Sequence, residues 1–321
     1  MKKVQRLRFR WLLLACLLMS SAAYAFPDGP ITVVVPLAPG DAADISARTM
    51  GEEISKVLKT PVLAVNRPGS GGAIAAASVA QARKDGHTIL FAQNSALTFR
   101  VVLDAKSVSY DPSRDLVPLG ITSRTPSVLV VRADAPYRSL AELIEHAKRN
   151  PGEARIGHPG AGSVGDFCVR LINALTGADL VPVPHTGAAP AVTALRGGHI
   201  EGVVLALGAL STHIKAGTFR GLVTSNRVPE FAEIPTLRAL GLPEELFGIW
   251  FSFLAPAGIP DDALKALRGA IAHAARSPAV AARLAPLGIL QEYAPPDEQA
   301  AEMRAESARV SEMARKTGLL K

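Results

Sequence analysis

The stretch RIGHPGAGSVGDF, Arg155–Phe167, holds residue types for three different chemistries. Gly160, Gly162 and Gly165 have the G-x-G-x-x-G spacing that brings backbone N–H groups and a helix N-terminus up to a pyrophosphate. Ser163, Asp166 and His158, with His185 further along, are the residue types of a serine hydrolase. The glycines alone suit any anion held by backbone donors and the positive end of a helix. The first reading lacks a part. No acidic residue ends the following strand to hold a ribose, because that strand runs Val181-Pro182-Val183-Pro184-His185. The second also fails on spacing, since a G-x-S-x-G elbow needs glycine where Ala161 stands. Asp166 reads as a charge favoured at a helix start, and His185 as a pocket-wall or capping histidine. No Gly-Lys-Ser/Thr follows any glycine loop at phosphate-loop spacing.

Two more corners of the same kind, LAPGDAAD and NRPGSGG, follow apolar β-branched runs. Alone, each is a turn into a helix. Three in one chain favour a carboxylate or similar anion bound mainly by backbone donors. The elements that carry them alternate. ITVVVPL reads as a strand buried on both faces. Asp44 can N-cap the helix that follows, with Ile45, Met50, Ile54, Val57 and Leu58 on its apolar stripe. PVLAV, TILFA, SVLVVRA, ARIGH, LVPVPH, EGVVLAL and FRGLVTS read as further strands. Helices are expected after NRPGSGG, after Ser139, from the glycine loop to about Leu175, and over AAPAVTALRGG. AQNSAL contains a polar loop. Phe247, Trp250, Phe251 and Phe253 read as core packing near a junction. The charges of the last helix, Glu302, Arg304, Glu306, Arg309 and Glu312, read as a solvated face. Two strand–helix series imply two α/β lobes with mainly parallel sheets and a ligand at the strand C-termini.

The chain carries 35 basic and 28 acidic residues. Five of the basic residues precede the apolar run Trp11–Met19, and Ala23-Tyr24-Ala25 fits a secretory cleavage site. The run is short of the ~18 apolar residues a membrane span needs. Cleavage at Leu13-Leu14-Ala15-Cys16, as in a lipoprotein, would leave too short an apolar core. Residues 1–25 are therefore expected to be a signal peptide. Without it, 30 basic residues face 28 acidic ones. That balance gives no footprint for nucleic acid or an acidic membrane surface. Cys168 is then the one remaining cysteine, so neither a disulfide framework nor a cysteine zinc site is expected.

From Phe26 to the C-terminus the sequence resembles the Bug-type extracytoplasmic solute receptors of tripartite tricarboxylate transporters. The resemblance rests on ITVVVPLAPGDAADISAR, VLAVNRPGSGGAIAAASVAQARKDGHTIL, YDPSRDLVPLG, IGHPGAGS, PHTGAAPAVTALRGGHIE, HIKAGTFRGLVTS, EIPTLRALGL and WFSFLAPAGIP. It implies a type II periplasmic binding protein whose two lobes close over a small carboxylate, with no catalytic residue, metal or cofactor. The lobes are expected at 26–124 with 226–321, and at 125–225. The implied ligand contacts are Ala38, Pro39, Gly40, Asp41 and Asp44 in the first corner and Ser70 in the next loop. Asn94 and Ser95 are implied after the third strand, Gly162 and Ser163 at the glycine loop, and His185, Thr186 and Gly187 beyond it. Leu205 and Ala206 complete the set. Membrane permease subunits or a sensor are the implied partners of a monomeric receptor in the periplasm of a Gram-negative bacterium. The alternatives are a ligand-sensing subunit and an exported hydrolase built on Ser163.

Departures from the family pattern bear on the ligand. Gly40-Asp41 stands where Gly-Gly is usual, Leu205-Ala206 where Asp-Asn is common, and His185-Thr186 where Tyr-Lys is. The distal pocket becomes more apolar. A carboxylate at Asp41 would repel a ligand acid by roughly 1 kcal/mol at 4 Å in water, and by several at lower dielectric. Either Asp41 points to solvent or the ligand carries a donor beside its acid group. A monocarboxylate, aromatic or amphiphilic, or an amino acid is expected in preference to a tricarboxylate.

Overall fold

Ile31–Val35 (β1) is a β-branched run with only Thr32 less than fully buried, and it forms the middle of a parallel trio. It pairs with Val62–Asn66 (β2) on one side and Thr88–Gln93 (β3) on the other. The computed structural model describes residues 26–320. The expected signal peptide, with its cleavage site and Cys16, lies outside them.

The first sheet has the order β11-β4-β10-β3-β1-β2 and the second β7-β6-β8-β5-β9. Leu116–Thr125 (β4) belongs to the first sheet, and Ser127–Arg132 (β5) to the second. A single residue, Pro126, separates them, so the chain changes sheets in one step. Arg155–His158 (β6), Val181–Pro184 (β7), Gly202–Ala206 (β8) and Phe219–Thr224 (β9) complete the second sheet. The chain then returns to the first with Ile249–Pro256 (β10) and Leu290–Ala294 (β11).

The two-lobed α/β architecture is as the alternation predicts, but the sheets are mixed rather than mainly parallel. Among the strands of the two sheets, parallel pairing is confined to β1, β2 and β3, and to β6, β7 and β8. The strands that arrive from the other lobe, β10 and β5, run against both their neighbours. A strand entering from across the junction comes from the loop end of the sheet, so it must point away from the glycine corners.

Three of the described helices begin at side-chain caps, supplied by Asp41, Ser139 and Ser163. Ala42–Leu58 (α1) is capped by Asp41, whose Oδ1 accepts from the Ala43 N–H at 3.2 Å. The expected cap Asp44 lies inside the first turn instead. Lys59, at φ 52°, ends the helix in the left-handed conformation. Ala73–Ala80 (α2) follows the turn at Ser70–Gly72. The polar stretch after β3, expected as a loop, is helical: Ser95–Phe99 forms a wide π-type turn that continues into Arg100–Leu103 (α3). Leu140–Arg149 (α4) is capped by Ser139, as its sequence predicts. Val164–Thr176 (α5), Ala188–Arg196 (α6) and Leu207–Lys215 (α7) cover the second sheet. Asp261–Ala274 (α8), Pro278–Leu284 (α9) and Pro296–Lys316 (α10) return to the first. Among the described residues, no helix is long and apolar enough to cross a membrane.

Phe247, Trp250, Phe251 and Phe253 are all buried, as the sequence predicts. Phe253 and Phe251 pack on Phe91, with ring centroids 4.8 and 5.7 Å away. Phe247 lies 5.2 Å from Phe99, which follows β3, and 5.4 Å from Phe167 of α5. An aromatic trio thus ties the two sheets together.

Candidate functional site

The C-terminal ends of β1, β3, β6 and β7 face one another, and their loops touch across the lobes. The first corner, Ala38-Pro39-Gly40-Asp41, leads from β1 into α1. Gly40 N–H donates to Asp44 Oδ2 at 2.9 Å, and Arg48 Nε donates to Asp44 Oδ1 at 2.9 Å. Asn66, at the end of β2, donates to the same Oδ1 at 2.8 Å. The second corner, His158 to Ser163, leads from β6 into α5. There Gly162 N–H donates to Asp166 Oδ2 at 2.8 Å, and Arg170 Nε donates to Asp166 Oδ1 at 2.7 Å. The two lobes therefore hold the same device, Gly-x3-Asp-x3-Arg. In each, a carboxylate one turn into the helix clamps the loop glycine and is neutralised by an arginine one turn further on.

Burial pushes the Asp44 carboxyl up. The hydrogen bonds from Arg48, Gly40 and Asn66 outweigh that effect and hold it below the usual carboxylate range. Asp166 sits in the first turn of its helix, as its position predicts. The arginines Arg48 and Arg170 are the parts sequence reasoning missed. Their signal was present, as the same spacing occurs in ISAR after Gly40 and in FCVR after Gly162.

The glycines of the second corner have structural reasons to be there. Gly160 has φ 138°, and a Cβ on it would come within 3.1 Å of Gly71 N in the other lobe. A Cβ on Gly165 would meet Val204 O at 2.5 Å, so this glycine lets α5 lie directly on β8. Two glycines of the G-x-G-x-x-G pattern are thus explained by close approach of backbone to backbone, and Gly162 by its φ of 72° with the Arg100 side chain against it.

Ser163 is buried and caps α5, its Oγ accepting from Asp166 N–H at 3.2 Å. His158 Nδ1 lies 2.9 Å from Gly160 O, and its Nε2 lies 3.8 Å from Asp166 Oδ1. Burial pushes the His158 pKa down, so the ring is neutral near pH 7. The serine is engaged as a cap and the histidine as a loop tie.

Around the two corners, hydrogen bonds and backbone contacts join the lobes at three places. Asp41 Oδ2 accepts from the N–H of Ala188, the first residue of α6, at 3.0 Å. Ser95 Oγ accepts from the N–H of Val164, the first residue of α5, at 3.1 Å. The Ser70–Gly72 turn packs on the second corner, and Arg100 Nη1 donates to Ala161 O at 3.3 Å. Asp41 does not point to solvent, as one branch of the sequence argument allowed; it is 5 % exposed. Burial pushes its carboxyl up from the usual range, against the pull of the Ala188, Ala43 and Ala42 N–H groups.

Other expected contacts divide. Ala38 abuts Gly187, on which a Cβ would lie 3.5 Å from the Ala38 Cβ. Ser70 and Thr186 are exposed at the edge of the site, and Pro39 and Gly40 are exposed beside them. His185 is half-buried, its Nδ1 3.0 Å from Val183 O. Asn94 turns away from the corners and donates to Gly248 O and Glu306 Oε1, both at 3.0 Å. Leu205 is sealed in an apolar cluster with Val130, Leu195 and Leu210, while Ala206 precedes α7. These two positions add no polar group to the site. Among the described residues, no cluster of three or more His, Cys, Asp or Glu side chains could hold a metal ion.

The Tripartite tricarboxylate transporter family receptor profile matches residues 46–319. The Pseudomonas sp. strain P51 protein from the tcbD–tcbE intergenic region is 35% identical over 288 residues, 89% of this chain and 85% of its own. Protein BugT of Bordetella pertussis is 32% identical, with 92% of each chain covered. Among solved structures, MatC from Rhodopseudomonas palustris with bound malate is similar at a TM-score of 0.84 and 29% identity, covering 90% of this chain and 99% of its own. An R. palustris protein with adipate is similar at 0.85 and 28% identity, covering 91% and 98%.

Proposed function

The chain belongs to the tripartite tricarboxylate transporter receptors, and from that premise we propose that it captures a small organic carboxylate between its lobes and presents it to a membrane permease. It works in the periplasm after removal of residues 1–25. Its lobes are 26–124 with 226–321, and 125–225. One observation carries this reading: the N-termini of α1, α5 and α6 converge where the two lobes touch. Three helix starts aim partial positive charge at one region, which favours an anion there. The malate and adipate of the related structures are such anions. The site is built around Gly40, Asp41, Ser95, Gly162, Ser163 and Gly187. Arg48 and Arg170 act by fixing the loops, since their side chains are committed to Asp44 and Asp166.

A ligand would add stability by its preference for the joined lobes. The test is a thermal-shift panel of mono-, di- and tricarboxylates, aromatic acids and amino acids on protein beginning at Phe26, with each hit checked for turnover. An acid at about 100 times its Kd adds ~2.7 kcal/mol, a rise of a few degrees for a chain of this size. A saturable hit recovered unchanged is the expected outcome. A hit that is consumed overturns the binding-protein reading and returns Ser163 to consideration, and silence across every acid overturns the ligand class.

A further inference from the structure

The N-caps of the two matching corners differ in one respect. Lobe 2 uses Ser163, whose hydroxyl serves its own helix. Lobe 1 uses Asp41, whose two oxygens serve two lobes: Oδ1 takes the Ala43 N–H of α1, and Oδ2 takes the Ala188 N–H of α6. A serine at this position could cap α1, but its hydroxyl would end a bond short of the outer carboxylate oxygen. The extra reach of Asp41 is therefore spent on the other lobe. The fit is close around it, as Gly187 lies against Ala38 and a Cβ there would sit 3.8 Å from Asp41 Oδ2.

We infer that Asp41 is a resident acid group that does at this point what a ligand carboxylate could do, spanning the N-termini of α1 and α6 and latching the lobes. This rests on the receptor reading and sharpens its ligand class in two ways. A ligand acid cannot reach the Ala43 and Ala188 donors without displacing Asp41. A second acid group on a ligand, brought near the latch, meets a like charge in a site with little water, where Coulomb energies are several times larger than in bulk. The receptor thus selects acids with a single carboxylate, or with a hydrogen-bond donor facing Asp41, over diacids of the same length. It also keeps its lobes partly joined before any ligand arrives.

The decisive variant is Asp41→Ser, which installs the cap residue that lobe 2 already uses and so keeps the start of α1. Asp41→Asn is the companion, removing the charge while keeping the reach. Unfolding midpoints of both establish that they fold. Two measurements follow. Titration calorimetry compares hexanoate with adipate and benzoate with terephthalate, each pair matched in skeleton and differing by one acid group. Small-angle scattering of ligand-free protein reads the separation of the lobes. In Asp41→Ser the affinity for the diacid relative to its mono-acid is expected to rise about tenfold or more, which is ~1.4 kcal/mol or more, and the ligand-free radius of gyration is expected to increase. Asp41→Asn is expected to share the first change and show less of the second.

An unchanged mono- to diacid ratio together with an unchanged radius of gyration would overturn the resident-acid assignment while leaving the receptor reading intact. If none of the four acids binds wild type or variants, the scattering decides alone: an unchanged radius overturns the latch, and an increased one upholds it with the ligand class in error. The failures of the two readings are therefore separable.

Discussion

At the scale of single residues, sequence reading places Asp166 at its helix start, takes Asp44 for the cap that Asp41 provides, and misses the arginines that pair with Asp44 and Asp166. Asp44 and Asp166 each close a loop on the glycine four residues earlier, a local contact set by helix geometry. Asp41 differs because its second oxygen finds a donor in another lobe. Cys168 shows the opposite case, a reactive residue type made inert by its place. It is fully buried beside Ser127 Oγ and Phe247 O, and burial pushes its thiol up to about 11. The thiolate is the reactive form, so native protein at pH 8 should react with a disulfide reagent at least about a hundredfold more slowly than the denatured chain. Labelling at equal rates with and without denaturant would contradict this burial.

At the scale of elements, α10 departs most from its sequence reading. Its charged positions predict a solvated face, yet Glu306 is 4 % exposed and Glu302 is paired with Arg124, its two oxygens 2.7 and 2.6 Å from Nη1 and Nη2. Asn94 Nδ2 donates to Glu306 Oε1. Thr98 Oγ1 lies 2.6 Å from Oε2 and 2.9 Å from Asn94 O. The threonine hydroxyl has one proton and two acceptors to satisfy. A protonated Glu306 resolves this, with Oε2–H donating to Thr98 Oγ1 and Thr98 donating on to Asn94 O. Burial accordingly pushes the Glu306 carboxyl up, outweighing the Thr98 and Asn94 hydrogen bonds and the Arg309 charge, while Glu302 adds to the rise.

A group whose folded pKa is raised contributes stability that is present below its unfolded value, near 4.5, and is lost as pH climbs through the folded value. Glu306→Gln mimics the protonated form. It should match wild type in stability near pH 4 and exceed it by a few degrees in midpoint at pH 8. A variant equally destabilised at both pH values would show instead that the ionised carboxylate is the native form.

At the scale of the whole molecule, two sheets joined at Pro126 and again through residues 225–248 could behave as two units or one. The rings of Phe99, Phe167 and Phe247 lie within 5.2–5.4 Å of one another, drawn from lobe 1, lobe 2 and the returning connection. The large core cluster likewise runs through both sheets, from Val33 and Phe251 to Leu129 and Val204. Calorimetry should therefore give a single endotherm, with calorimetric and van't Hoff enthalpies in agreement. Phe247→Ala, which empties the middle of the trio, should cost about 3–5 kcal/mol. Two resolved endotherms in wild type would mean that the lobes fold independently and that the trio is only a contact.

By itself the sequence determined what local chemistry decides. The β-branched runs made β1, β3, β5 and β8 strands, Ser139 made a cap, and the ordered glycine corners marked the family and the anion-favouring ends of the sheets. Those features depend on residues within a few positions of one another. The tertiary structure alone decided the rest. β4 interrupts its apolar pattern with Pro118 and Gly120 and takes its place from β10 and β11 on either side. The arrival of β5 and β10 from opposite lobes turned the sheets from parallel to mixed. Above all, the charges took their meaning from distant partners. Asp41 and Ala188 are 147 residues apart, and Glu306 and Asn94 are 212 apart. A carboxylate's ionisation and its role follow from the donors and the water around it, and in a two-lobed chain those come from the other end of the sequence.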